Sequence, residues 1–338
     1  MKIIISIFCA VIALSSIGCG GGGGSENTNN TPQQDNITSY RVRDLGVVDT
    51  NNGNAGAVAI NSNNRIVIQS GNQVFISDIQ GNKSELSLPQ GGIYPEGADI
   101  NDSGEVVGRF FLESASRAVK WKADGSAEIL SCDFENSHSK AFYVNSSGLI
   151  AGVDRDVSAP SGTYQMRVWN KDGSVKYRLG SGITGGINDL GQVIGRTTDG
   201  HIVLWNANGS VVSSTALACD DPLPLSLNNN GVSIVQANEV SYLRNAAGSY
   251  TEILVAGHQY VCAESLNNHG RIVGTVDGIG SVDRSRAFTM NSNDQIILLD
   301  LPEDYSRSIA LDINDSGYIV GYIEKPGGER HAALWIPE

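Results

Sequence analysis

The sequence predicts an all-β fold: a seven-bladed β-propeller of four-stranded antiparallel blades, its ring closed by an N-terminal strand at residues 40–46. Three observations predict it. An aliphatic residue followed by Asn recurs at Asn61, Asn101, Asn145, Asn188, Asn228, Asn267 and Asn314, spaced 39 to 47 residues apart, with Gly three positions after the Asn in all but the first copy. Short apolar runs between turn signals fill each interval, and no segment sustains a helical period. The last interval stops one strand short, while the segment before the first Asn carries one strand with no partner of its own. Forty Gly against 9 Pro fit many tight turns joining short strands.

In chain order, residues 1–18 read as a secretory leader. Lys2 precedes an apolar run from Ile3 to Leu14, too short to span a bilayer comfortably, and small residues then lead to Cys19. Ser16-Ile17-Gly18-Cys19 resembles the bacterial lipobox, in which signal peptidase cuts before a Cys whose thiol carries diacylglycerol; Ser16 stands where Leu is usual. The resemblance implies lipidation of Cys19. With Gly20 rather than Asp next to it, it also implies an outer-membrane lipoprotein of the bacterial cell envelope, periplasmic or surface-exposed. Residues 19–39 are rich in Gly, Asn, Thr and Gln, a composition that buries too little apolar surface to order itself, so they read as a tether. The folded body is 40–338. Its partners are expected to exclude nucleic acid, because 36 Asp+Glu against 23 Lys+Arg leave a formal charge of -13, the wrong sign for phosphate. The membrane is met through the lipid anchor alone.

Each repeat reads as a meander of four strands. In the Asn-x-x-Gly turn the Asn side chain accepts backbone N–H groups and the Gly supplies positive φ. Asn64 replaces Gly in the first copy and is the residue next most tolerant of that backbone. The strand after the turn carries Gly at 108, 152, 195, 274 and 321, where close approach of an aromatic ring is expected. The third strand ends in Trp121, Trp169, Trp205 and Trp335, and a second tight turn such as Lys122–Gly125 leads to the fourth. The last unit stops after its third strand. Tyr40–Gly46 looks like a fourth strand, and joining the two ends would leave no exposed edge.

The unit Ala-x-x-Ile-Asn-x-x-Gly-x-Val-Val-Gly, followed by strings such as Ser116–Trp121, Ser285–Met290 and Arg330–Trp335, resembles the HAF-type extracellular repeat family. The resemblance covers nearly all of 40–338. It fades in the first unit, with Ser77 at the Trp position, and in the fifth, with Arg244 there and Val235 for the strand Gly. It implies a secreted or surface bacterial protein and no assigned reaction.

Catalytic fingerprints are absent. There is no nucleophile elbow, P-loop or dinucleotide motif, and His138, His201, His258, His269 and His331 have no metal-ligand spacing, so no metal and no cofactor are expected. Of the cysteines after the leader, Cys219 and Cys262 allow a disulfide, with single thiols equally open. Asp99–Gly104 and Asp312–Gly317 look like calcium loops, but Val107 and Val320 fall where late acidic ligands belong. The Trp row reads as packing between blades before it reads as a sugar platform.

Loop length is more informative. The connections between second and third strands, and between successive units, vary in length, and in a meander both emerge on one face. That face supplies the candidate ligand-binding residues Arg109, Arg117, Asp154, Arg155, Tyr164, Asp283, Arg284, Arg286 and Arg330, with Asp156, Tyr305 and Arg307 beside them. The Arg side chains either pair with loop acids or meet an anionic glycan or acidic protein. The leading expectation is a non-catalytic lipoprotein binding a protein or polysaccharide there. The alternative is a polysaccharide lyase or hydrolase at the mouth of the central channel, where Asp99 and Asp312 would face the axis with Glu264. Convergence of these acids with His or Tyr favours the enzyme; an axis of Ser, Gly and aliphatics favours binding.

Overall fold

The Asn-x-x-Gly turns close as their residue types require. In the second unit the Gly104 N–H reaches the Asn101 carbonyl at 2.9 Å, the Asn101 N–H reaches the Glu105 carbonyl at 3.0 Å, and Gly104 sits at φ +77°. Asn64 takes the same left-handed backbone at φ +59°. The second turn of the unit repeats the pattern, with Gly125 at φ +82°.

These turns join 27 strands in a computed structural model describing residues 37–48, 54–132, 137–156, 163–217, 219, 221–278 and 281–338, the side chains of residues 137, 156, 278 and 281–284 excepted. The leader, Cys19 and the tether as far as residue 36 lie outside the described residues. β1 is Tyr40–Gly46. β2 (Ala55–Ile60), β3 (Ile66–Ser70), β4 (Gln73–Ser77) and β5 (Lys83–Glu85) form an antiparallel sheet in chain order. So do β6 (Gly92–Ile100), β7 (Val106–Leu112), β8 (Ala115–Trp121) and β9 (Ala127–Ile129). β10 (Ser137–Val144), β11 (Ile150–Asp156), β12 (Gln165–Trp169), β13 (Val175–Ile187), β14 (Val193–Thr197), β15 (His201–Trp205) and β16 (Val211–Ala216) form one sheet of seven strands. β17 (Leu223–Leu227), β18 (Ser233–Ala237), β19 (Val240–Arg244) and β20 (Tyr250–Glu252) follow, then β21 (Val261–Leu266), β22 (Ile272–Gly278), β23 (Ser281–Met290) and β24 (Ile296–Leu298). The last sheet holds β25 (Arg307–Ile313), β26 (Ile319–Glu324) and β27 (Arg330–Pro337), with β1 as its fourth strand.

The architecture is an all-β propeller with four-stranded antiparallel blades. Five sheets stand as separate four-stranded units, whereas the units around Asn145 and Asn188 are merged. The reason lies in β13. Its first half pairs with β12 and its second half, from Gly182, pairs with β14. Gly180 and Gly182, at φ +93° and +151°, let the chain pass from one plane of pairing to the next without a loop.

β1 runs antiparallel to β27, with Val42 opposite Trp335 and Arg43 opposite Leu334. Tyr40 is 2% exposed and packs with Ala287, Leu299 and Trp335. The ordered contact begins slightly earlier than a tether ending at residue 39 implies: Ile37 packs on the same cluster, and Thr38 and Ser39 exchange backbone hydrogen bonds with Glu338. Within β1, Asp44 accepts from the Tyr305 hydroxyl at 2.5 Å and lies 2.8 Å from His331 Nδ1.

The core is divided among the gaps between neighbouring sheets. Leu45, Ala57, Ile68 and Leu334 fill one gap; Ala59, Val74, Ile100 and Trp121 fill the next. Ala151, Val168, Val193 and Trp205 fill the gap between the two halves of the merged sheet. The Trp rings pack between blades. Indole N–H groups of Trp121, Trp169 and Trp335 donate to the carbonyls of Ser87, Ser131 and Asp300, each on the preceding unit. The strand Gly residues answer to a different neighbour from the one expected. A Cβ on Gly108, Gly152, Gly195, Gly274 or Gly321 would first meet the carbonyl oxygen of Glu96, Lys140, Ile183, Cys262 or Ile309 across the strand pair, with a Trp ring among the three nearest atoms only at Gly152 and Gly195.

Candidate functional site

The first strand of each unit lines the axis, and each carries a β-bulge at the same place. The register slips between Ala57 and Ala59, Gly97 and Asp99, Ala141 and Tyr143, Thr184 and Gly186, Pro224 and Ser226, Ala263 and Ser265, and Ala310 and Asp312. A regular strand would show alternate residues to the axis. The bulge breaks that alternation, so consecutive residues such as Glu264 and Ser265, or Leu311 and Asp312, both line the channel.

Around this channel the marker Asn residues do more than cap their own turns. Each side-chain oxygen accepts the N–H four residues on, as from Glu105 to Asn101 and from Tyr318 to Asn314. Each side-chain nitrogen donates to the backbone carbonyl of the next marker Asn. The links Asn61 to Asn101, Asn101 to Asn145, Asn145 to Asn188, Asn188 to Asn228, Asn228 to Asn267, Asn267 to Asn314 and Asn314 to Asn61 measure 2.8 to 3.2 Å. One residue outward, Asp102, Asp189, Asn229, Asn268 and Asp315 accept the N–H of the preceding unit at 2.8 to 2.9 Å. Both sets of bonds make the turn end of the channel a rigid collar.

Inside the collar is a cavity of about 290 Å³. Among the described residues lining it, six are acidic (Asp99, Asp102, Asp189, Glu264, Asp312 and Asp315) and none is Lys, Arg or His. Asp99 and Asp312 also do structural work. Asp99 accepts the Val144 and Ile100 N–H groups at 2.8 Å each; Asp312 accepts the Ile60 N–H at 2.9 Å and the Ser265 hydroxyl at 2.8 Å. Burial pushes Asp99 up to about 7, and the nearby Asp312 and Asp189 charges add to that against the N–H bonds. Burial pushes Asp312 to about 6. Tyr143 donates across the channel to the Leu225 carbonyl at 3.3 Å, and burial, then Asp99 and Glu264, hold its hydroxyl protonated.

Glu264 is different. It occupies the extra position of its bulge, its carboxyl makes no hydrogen bond to the described protein, and burial alone raises it to about 7. An enclosed carboxyl titrating near neutrality is suited to taking a proton in one step and returning it in another. No group of three or more His, Cys, Asp or Glu among the described residues is arranged to hold a metal ion.

The loop-face candidates are only partly brought together. Arg109, Arg117 and Arg155 surround His138, whose pKa is lowered by burial and then by those three charges. Its Nδ1 accepts the Ser116 N–H at 3.0 Å. Most of the Arg groups are met by the chain's own groups. Arg109 makes a two-pronged contact with Glu96 at 2.6 and 2.8 Å. Arg330 and Arg307 share Glu324 at 2.7 and 3.3 Å, and Arg286 donates to the Leu299 carbonyl at 3.0 Å. Asp154 is fully buried against Arg167 at 2.9 Å. Arg155 lies over the Tyr164 ring, and Tyr164 lines a second cavity of about 230 Å³ with Arg196. Asp283 and Arg284 lie on β23, their side chains outside the described set. Tyr143 and the collar acid Asp189 were not singled out from sequence; both become visible once the repeats are aligned on the marker Asn, at positions two before and one after it.

No family model matches the chain, and no curated protein matches it. Among solved structures the fold is similar to a streptogramin B lyase, with TM-score 0.59 and 11% identity over 88% of this chain and 98% of that one. It is also similar to a catalytically inactive histidine-to-alanine variant of virginiamycin B lyase from Staphylococcus aureus with quinupristin. That match has TM-score 0.58 and 14% identity over 88% of this chain and the whole of the other. Likeness at this level of identity establishes the propeller fold.

Proposed function

We propose that this chain is an enzyme of the bacterial cell envelope, a propeller whose working site is the axial cavity and whose proton carrier is Glu264. The observation that carries the reading is the Glu264 carboxyl, enclosed, raised to about 7 and bonded to no group of the described protein, beside Tyr143. Counting the merged sheet as two modules gives a ring of seven. The lipid anchor at Cys19 and the tether, read from sequence, would hold it at the outer membrane.

The chemistry we favour is hydrolysis of a small polar substrate or the end of a larger chain. A cavity of about 290 Å³ has no room for the middle of a polysaccharide. Glu264 in its carboxylate form takes a proton from water, the oxygen attacks, and the proton passes to the departing oxygen as the old bond breaks. Elimination on uronates fits less well, because six carboxylates around the cavity repel an anionic sugar. The test is a screen of chromogenic neutral and amino-sugar glycosides with the wild-type protein and Glu264→Gln. Turnover that falls by about a hundredfold or more in the variant supports the reading; absence of turnover, or an unchanged rate, sinks it.

A second reading keeps the protein non-catalytic, with an anionic glycan or acidic protein docking at Arg109, Arg117 and Arg155. The convergence of these groups on His138 favours it; the Glu96 contacts with Arg109 and Lys140 count against it.

A further inference from the structure

We propose that the axial cavity selects a cation, and that its ligand presents an ammonium group to Glu264. This rests on the cavity being the working site and names the class of molecule it takes.

The sign of the charge is the first argument. Every ionisable side chain lining the cavity that changes charge near neutral pH is acidic, and no Lys, Arg or His accompanies them. Elsewhere in the described protein several buried acids are matched by cations. Glu96 has Arg109 and Lys140, Glu324 has Arg307 and Arg330, and Asp154 has Arg167. The chain therefore has the means to neutralise buried acids and does not use them at the axis. A concave site of one sign, with low-dielectric walls, concentrates the opposite charge.

The second argument is the division of labour among the acids. At the rim, Asp102, Asp189 and Asp315 hold backbone N–H groups of neighbouring units. Deeper, Asp99 and Asp312 do the same. Their oxygens are largely occupied, and they contribute field more than contact. Glu264 alone has both oxygens uncommitted, lies deep in the channel on the extra residue of a bulge, and opens into the cavity. A carboxylate held there without a partner is costly unless something supplies the missing donors. An ammonium group supplies up to three, with the opposite charge. A metal ion is a poorer match, since no three ligating side chains are gathered among the described residues.

The third argument is what surrounds Glu264. Tyr143 spans the channel to the Leu225 carbonyl, and Ser226 and Ser265 line the same wall. These are neutral polar groups, suited to the uncharged remainder of a polar molecule of roughly a dozen heavy atoms, the size a cavity at the small end of ligand sites admits.

The experiment is a charge series of one shape. Glucosamine, glucose and glucuronate are titrated into the full-length protein and into Glu264→Gln at about pH 7.5, where Glu264 is largely ionised and the amine is still largely protonated, and binding is read by calorimetry. The inference expects glucosamine to bind the wild type at least about tenfold more tightly than glucose, and glucuronate not to bind. In Glu264→Gln it expects glucosamine affinity to fall about tenfold while glucose affinity holds. The ranking on the wild-type protein needs no variant, so it stands as a test even if the substitution harms folding. Equal binding of all three sugars overturns the charge selection and leaves the cavity as a site. Tightest binding of glucuronate, or of calcium ion alone, overturns it in favour of another ligand class. No binding by any of the three overturns both this inference and the cavity reading. Glycoside turnover is measured separately, so failure of the catalytic reading is distinguishable from failure of this one.

Discussion

The side-chain nitrogen of Asn314 donates to the backbone carbonyl of Asn61 at 2.9 Å, joining residues 253 positions apart. It is the link that closes the collar of Asn residues, and the same nitrogen lies 2.8 Å from Asn64 Oδ1. Asp cannot replace Asn here, because the position must accept within its own turn and donate to the next unit. Asn314→Asp should therefore destabilise the protein by about 1–3 kcal/mol, through loss of the donor and exposure of carbonyl oxygens to a new negative charge. Urea denaturation measures this; an unchanged midpoint would show that the closing link contributes nothing.

Tyr40 tests the closure of the outer strand. It is 2% exposed and packs against Trp335 of its own sheet and Leu299 of the neighbouring unit. Tyr40→Ala should cost about 3–5 kcal/mol, as for other large buried rings. The expected readout is a loss of melting temperature without a new ligand-binding defect in the fraction that remains folded.

Gly321 and Gly327 give a paired control six residues apart. A Cβ at Gly321 would overlap the Ile309 carbonyl oxygen and backbone, whereas at Gly327 it would meet nothing within 4 Å. Gly321→Ala should destabilise by about 3 kcal/mol, and Gly327→Ala should stay within about 0.5 kcal/mol of wild type. Similar melting curves for the two variants would remove the close-approach explanation of the strand glycines.

The axial acids set a pH dependence of unusual sign for carboxylates. Asp99 and Glu264 titrate at about 7 and Asp312 at about 6 in the folded chain, above the ordinary carboxylate range of about 4. The folded state thus holds protons that the unfolded state has released. Their stabilising contribution is complete below the unfolded values and is lost as pH rises through 6 to 7. Denaturant midpoints should fall between about pH 5 and about pH 8, and Glu264→Gln should flatten that fall while raising stability at the alkaline end. A midpoint that climbs across this range would contradict the burial of these groups.

Much of the fold was legible because the repeat is written in residues with few conformational alternatives. Asn61 to Asn314 and the Gly at each turn specify the backbone locally, and Trp121 to Trp335 mark the third strand. The missing strand at Trp335 pointed to Tyr40. The merger through β13 was less legible, because Gly180-Ser181-Gly182 resembles a short loop until the pairing of both halves is known. At the site, Asp99 and Asp312 were placed on the axis by their offset of two before the marker, with Glu264 beside them. Tyr143 shares that offset but reads as packing because of its ring, and the inward turn of Glu264, three before its marker, depends on a bulge that leaves no distinctive residue type of its own. The Arg residues read as loop residues lie on strands instead, Arg109 on β7, Arg117 on β8, Arg155 on β11, Arg286 on β23 and Arg330 on β27, and the partners Glu96 and Glu324 sit on adjacent strands, where sequence distance conceals the contact.

The collar also has a direction. Every amide passes its hydrogen to the following unit, so the dipoles circulate in one sense and each link polarises the next. Such a circuit senses only adjacent members and contains nothing that counts them. Duplication or loss of a whole module would leave every amide with a donor to give and a carbonyl to meet, and the circumference would be decided by the angle at which neighbouring sheets pack. Propellers of this design can change size by copying without first inventing a new joint.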